Sequence, residues 1–184
     1  MKMIKKLLSD WCGKSCNLNE IEYRTVQCGI EIMLNSALKI LGILAIGLIA
    51  GEFLRFGLIL LVMCSTRYFA GGRHCRTHTG CFLAMLGICI LGTCFQRYVP
   101  MANTTVFSIL VCFVIVLMSS SAPYISKVNP LDEDLINGKR AGSIMVSAIW
   151  LAIGGYYTAI GYCVLVPLII ECFTIISFGK EDKS

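Results

Sequence analysis

Residues 40–51 read ILGILAIGLIAG and residues 56–64 read FGLILLVMC, with Glu52 and Arg55 the charges between them. Two similar apolar blocks follow at 82–95 and 106–118. A helix that crosses a bilayer needs about 20 mostly apolar residues, and these blocks with their flanks reach that length. The rest of the chain agrees. Of its 184 residues, 57% are hydrophobic and 15% charged, with a mean hydropathy of +0.76, whereas a soluble domain carries about 25% charge. The composition predicts an all-α, polytopic membrane protein, and 184 residues leave no room for a soluble module beside several spans.

Six spans are expected, near 27–50, 53–69, 81–99, 104–122, 141–159 and 161–178, within a single membrane-embedded domain covering 1–184. Gly71-Gly72, Gly80, Pro100, Pro123 and Gly154-Gly155 punctuate them. Ahead of the spans, Ile4, Leu7, Leu8 and Trp11 recur at helical spacing with Lys5, Lys6, Ser9 and Asp10 opposite. That pattern predicts an amphipathic interfacial helix over 1–16, its lysines near anionic headgroups. It lacks the apolar core of a signal peptide. Asn17 and Glu20 have the spacing of a capping box that would open the first long helix.

The basic residues alternate in side. Lys2, Lys5, Lys6, Lys14 and Arg24 precede the first span; Arg67, Arg73 and Arg76 lie in the second connection; Lys127, Lys139 and Arg140 lie in the fourth; Lys180 and Lys183 follow the last. Arg55 and Arg97 stand alone on the other side. The positive-inside rule then places both termini and the loops 67–80 and 123–140 in the cytoplasm. The net charge of +5 is spread over loops without a basic face, which excludes nucleic acid as a partner. The 11 cysteines are odd in number, and Cys64, Cys89, Cys94, Cys112, Cys163 and Cys172 sit within apolar blocks, where a free Cys behaves as a small hydrophobe. No disulfide framework is expected.

Chemistry concentrates in residues 67–81, R-Y-F-A-G-G-R-H-C-R-T-H-T-G-C, which hold both histidines of the chain, three arginines and two cysteines. A thiolate nucleophile needs a nearby base or cation. Either His74 with Cys81 or His78 with Cys81 supplies such a pair. On a continuous helix the first pair is about 10.5 Å apart along the axis. Gly71, Gly72 and Gly80 instead let His74 fold back over the third span, with Cys81 in its first turn, where the helix dipole favours a thiolate. A zinc site is the other chemical reading, since His74 and His78 share i, i+4 spacing with Cys12 and Cys16, but the pattern is not that of a finger or ribbon. A basic juxtamembrane loop without chemistry is the plain alternative.

This segment resembles the accessory gene regulator protein B (AgrB) family of bacterial membrane cysteine endopeptidases, which process the precursor of a cyclic quorum-sensing peptide. The resemblance rests on R-Y-F-A-G-G-R-H at 67–74, the H-x6-C spacing of His74 and Cys81, Q-C-G-I-E-I at 27–32, the length, the hydropathy and the Ala122-Pro123 and Asn129-Pro130 steps after span four. It implies Cys81 as nucleophile and His74 as general base, with Arg67 and Gly72 shaping or charging the site. It gives no role to His78 or Cys75. The implied partners are a peptide precursor and the lipid bilayer, with a homodimer compatible with the many glycines, and the implied reaction needs no cofactor and no metal. No H-E-x-x-H or G-x-S-x-G signature competes with it.

Gln27, Glu31, Asn35 and Lys39 repeat every four residues and form one polar stripe on the first span. Such groups avoid lipid; they line a substrate cavity or hydrogen-bond between helices. Glu171, isolated in the last span, is expected to pair with Lys39 or Arg67. The rival to the peptidase is a small six-span transporter or channel, though residues 27–99 and 104–178 carry no inverted repeat.

Overall fold

The computed structural model describes residues 20–70, 77–99, 104–121 and 133–179. Among these the regular elements are α1 (Glu20–Ile49), α2 (Phe53–Ala70), α3 (His78–Tyr98), α4 (Thr104–Ser121), α5 (Glu133–Tyr156), a 3-10 turn (Thr158–Ile160) and α6 (Gly161–Gly179). The expected N-terminal interfacial helix and its capping box at Asn17 lie outside the described residues. Four segments are long and apolar enough to cross a membrane: Gly29–Ile49, Phe53–Ala70, Thr79–Tyr98 and Thr158–Ile175, with hydropathies from 1.5 to 2.1. Within α4 the described apolar stretch is shorter, Phe107–Leu117. The protein is an all-helical polytopic membrane protein.

Helix α5 departs most from the sequence-based spans. It begins at Glu133 rather than near 141, so Lys139 and Arg140, expected in a loop, ride on its early turns. Gly154-Gly155, expected to separate the fifth and sixth spans, fall in its last turn, just before it ends at Tyr156. Those glycines serve packing: a Cβ on Gly154 would stand 3.2 Å from Val164 of α6, and one on Gly155 3.1 Å from Phe107 of α4.

The chain divides into two compact units, residues 1–43 and 44–184. In the first, the described part of α1 is one uninterrupted helix carrying the Gln27, Glu31, Asn35 and Lys39 stripe. In the second, α1 ends in a turn in which Gly51 takes φ +73°. There the Gly51 N–H donates to the Leu48 carbonyl at 3.1 Å and the Glu52 N–H to the Gly47 carbonyl at 2.8 Å. A left-handed glycine just past a helix end satisfies carbonyls that would otherwise be orphaned.

Helix α6 is the hub of the second unit and packs against α2, α3, α4 and α5. Its Val164, Leu165, Leu168, Cys172 and Ile175 are buried with Val62 and Ala70 of α2, Val114 of α4 and Leu151 of α5. Association of helices in lipid depends on close packing and interhelical hydrogen bonds, because the tails are as apolar as leucine. Both devices are present. A Cβ on Gly92 of α3 would meet Ile59 of α2 at 2.9 Å, and Trp150 of α5 donates its indole N–H to Ser65 of α2 at 2.8 Å. Pro167, inside α6, supplies no N–H to the Cys163 carbonyl one turn back.

Up-and-down connections bring the end of α2, the start of α3, the start of α5 and the end of α6 to one end of this unit. Arg67 with Glu171, and Phe69 beside Gly142, mark that end. The opposite end gathers the start of α2, the end of α3 and the turn between α5 and α6, joined through Glu52, Arg97, Gln96 and Tyr162.

Candidate functional site

Cys81 sits at the opening of α3. Thr77 is extended (φ −120°, ψ 144°), and its hydroxyl accepts the Gly80 N–H at 3.1 Å. Its carbonyl accepts the Cys81 N–H at 3.2 Å, the bond that closes the first turn. Threonine is a favoured N-cap because its oxygen takes up a backbone donor left over at the helix start. The helix therefore begins at His78, slightly earlier than the expected start near 81, and Cys81 closes the first turn with 7% of its surface exposed. His78 heads the same turn. His74 and Gly72, the other two residues singled out in this segment, lie outside the described residues, as do Arg73, Cys75 and Arg76.

A charge pair joins α2 to α6. The Arg67 Nε–H of α2 donates to both carboxylate oxygens of Glu171 on α6, at 3.2 and 3.1 Å. Glu171 is sealed, with 2% of its side chain exposed, while Arg67 keeps 26%. A carboxylate in a membrane span is costly unless a cation and hydrogen bonds meet it, and Arg67 provides both. Of the two partners the sequence offered for Glu171, Arg67 holds it. The register places Cys81 relative to this pair. Gly92 of α3 faces Ile59 of α2 and the Tyr162 carbonyl of α6. Counted from that crossing at 1.5 Å per residue, Cys81 stands level with Ala70, about one turn (~5 Å) nearer the end of the bundle than Arg67.

Packing holds this end in shape. Ala70 is fully buried. A Cβ built on Gly142 of α5 would overlap the ring of Phe69, so α5 approaches α2 closely only because residue 142 has no side chain. Ser143, also fully buried, returns its hydroxyl to the Arg140 carbonyl at 2.9 Å.

The stripe on α1 belongs to the other unit. Glu31 is exposed there, and Gln27, Asn35 and Lys39 are half-buried. Among the described residues no group of three or more His, Cys, Asp or Glu is arranged to hold a metal. Cys12, Cys16 and His74 of the zinc reading lie outside them. Cys64, Cys81, Cys89, Cys94, Cys112, Cys163 and Cys172 are free thiols.

Sequence reasoning missed three contributors. Thr77 has the residue type of a cap, but its signal was hidden between two histidines. Ser65 and Trp150 gave no periodic sign of their bond, because it joins distant helices.

A sequence model described as accessory gene regulator B matches residues 3–175 of this chain. The accessory gene regulator protein B of Staphylococcus saprophyticus is 26% identical over 170 residues, covering 90% of this chain and 89% of its own length. That of Staphylococcus aureus is 26% identical over 175 residues, covering 92% and 91%. An AgrB-like protein of Clostridium perfringens is 26% identical over 190 residues and is matched along the full length of both chains. No solved structure matches.

Proposed function

The chain belongs to the accessory gene regulator B family, and from that premise we propose that it is a membrane cysteine endopeptidase that cuts and cyclises a quorum-sensing peptide precursor. The observation that carries the reading is the placement of Cys81. Its thiol is buried in the first turn of α3, behind a capped N-terminus. The chain just ahead of that turn carries His74.

The reaction divides into two acyl transfers. The Cys81 thiolate attacks the scissile carbonyl, a C–S bond forms, the C–N bond breaks, and His74 passes a proton to the departing amine of the C-terminal tail. The resulting thioester keeps the acylating power of the cleaved bond. A Cys thiol or Ser hydroxyl within the same peptide then attacks it, its proton goes to His74, and Cys81 leaves as the thiolate. The product is a thiolactone or a lactone. Water must be excluded for cyclisation to outrun hydrolysis, and the sealed interior around Glu171 and Ala70 suits that requirement. Arg67 and Gly72 shape the site, Glu171 holds Arg67, and Glu31 and Lys39 line the path of the peptide. The enzyme works in the bacterial cell membrane with both termini and the active site on the cytoplasmic side, alone or as a homodimer, and uses no cofactor.

The test is co-expression with a short peptide precursor encoded beside this gene, followed by mass spectrometry of the peptide products and measurement of the protein in the membrane. Wild type and His78→Ala are expected to give the cleaved, cyclised peptide, and Cys81→Ala and His74→Ala only the intact precursor. Loss with His78→Ala and retention with His74→Ala would transfer the role of base to His78. The same products from all four proteins would overturn the peptidase reading in favour of transport.

A further inference from the structure

The Arg67–Glu171 pair is built in a way that neutralising a buried charge does not require. Of the five N–H donors of a guanidinium, Glu171 engages only Nε–H, which it shares between its two oxygens. A fork of two parallel bonds is the stronger arrangement with a carboxylate. Here the terminal nitrogens make no bond to Glu171. The burial is lopsided in the same sense, with the carboxylate closed off and a quarter of the arginine side chain open. The four terminal N–H donors of this cation are the part of it that Glu171 does not take. They lie about one turn from the level of Cys81.

We propose that Glu171 is a positioning residue: by holding Arg67 at Nε it turns the terminal edge of the guanidinium into a receptor for an anionic oxygen of the peptide substrate. The inference rests on the peptidase reading and deepens it. Two oxygens have this chemistry, a carboxylate carried by the peptide and the oxyanion that develops when Cys81 attacks. Arg67 contacts the substrate. Glu171 acts only through Arg67, since its own oxygens are occupied and sealed.

A latch between α2 and α6 predicts something different, and reversing the pair separates the two. In Arg67→Glu with Glu171→Arg the opposite charges still meet, but the cation projects from α6. The assay follows precursor cleavage in membranes that hold wild type, Cys81→Ala, Glu171→Gln or the reversed pair, each normalised to folded protein. Glu171→Gln is expected to lose at least tenfold in kcat/KM. The reversed pair should restore the membrane level and thermal unfolding midpoint of wild type without restoring turnover. If it does not accumulate, Arg67→Gln with Glu171→Gln, which keeps an uncharged hydrogen-bonded pair, takes its place with the same expectation. A rise in KM at constant kcat in Glu171→Gln identifies a peptide carboxylate as the occupant. A fall in kcat at constant KM identifies the oxyanion. Turnover within twofold of wild type in Glu171→Gln or in the paired variants would overturn the inference. Identical products from wild type and Cys81→Ala would instead overturn the peptidase reading beneath it.

Discussion

The two ends of the 44–184 unit use polar side chains for different purposes. At the end away from Cys81, the Gln96 amide donates to the Thr158 carbonyl at 3.0 Å and accepts the Tyr162 N–H at 2.9 Å, so one side chain of α3 clasps the turn between α5 and α6. Glu52 there meets Arg55 at 2.6 Å and Arg97 at 3.5 Å, beside an open recess of about 540 Å³ lined by Gly51, Phe53 and Leu54. The bonds of Gln96 end on backbone, and each of these contacts ties a short turn to a neighbouring helix. At the Cys81 end the main polar contact joins two side chains, Arg67 and Glu171, in the interior. One end uses polar atoms to close the chain. The other holds an ion pair between two helices, about one turn from the level of Cys81.

If that division is right, damage to the two ends has different signatures. The largest effect is expected from Cys81→Ala, which removes the sulfur and little volume. Processing should fall at least a hundredfold by mass spectrometry while the membrane level stays within twofold, and a matching fall in the membrane level would show that this end is structural after all. Next comes Gly142→Leu, whose side chain must enter the space of the Phe69 ring. Overpacking of this kind costs about 1–3 kcal/mol, so both the unfolding midpoint and processing should drop, and Phe69→Ala in the same chain should recover part of each. Gln96→Leu strikes the opposite end. Loss of the clasp should cost about 1 kcal/mol and lower the midpoint with turnover per folded molecule unchanged. A loss of turnover there would erase the distinction between the ends. The smallest effect is expected from Glu52→Gln. Ion pairs as open as that with Arg97 contribute about 0.2–1 kcal/mol and are screened by salt, so wild type and variant should unfold together at high ionic strength.

The helices were legible in the sequence because lipid imposes a length and a composition that a run such as 40–51 reports directly. Where charges intervened, the reading stopped short: α5 begins at Glu133 because a helix emerging from the apolar layer tolerates Lys139 and Arg140 on its early turns. Gly154-Gly155 were read only as a break, whereas in lipid a glycine pair is also a packing surface. At the site, residues 67–81 placed Cys81 in the first turn of a helix, but the start at His78 and its Thr77 cap were not read from them. The choice of Arg67 over Lys39 as partner of Glu171 could not be read either, because it depends on which helices the bundle sets side by side.

The partners in that ion pair are separated by 104 positions along the chain. At about 5–20 residues per second of synthesis, Arg67 enters the bilayer roughly 5–20 s before Glu171 has been made. During that interval the end of α2 carries an uncompensated cation, worth about 2.5–3.5 kcal/mol at the centre of a span and less near its edge. The interior closes around this residue only when α6, which is also the hub for α2, α3, α4 and α5, is in place. An interrupted chain thus lacks both its central helix and the anchor of its cation, so a half-made protein holds no half-working site.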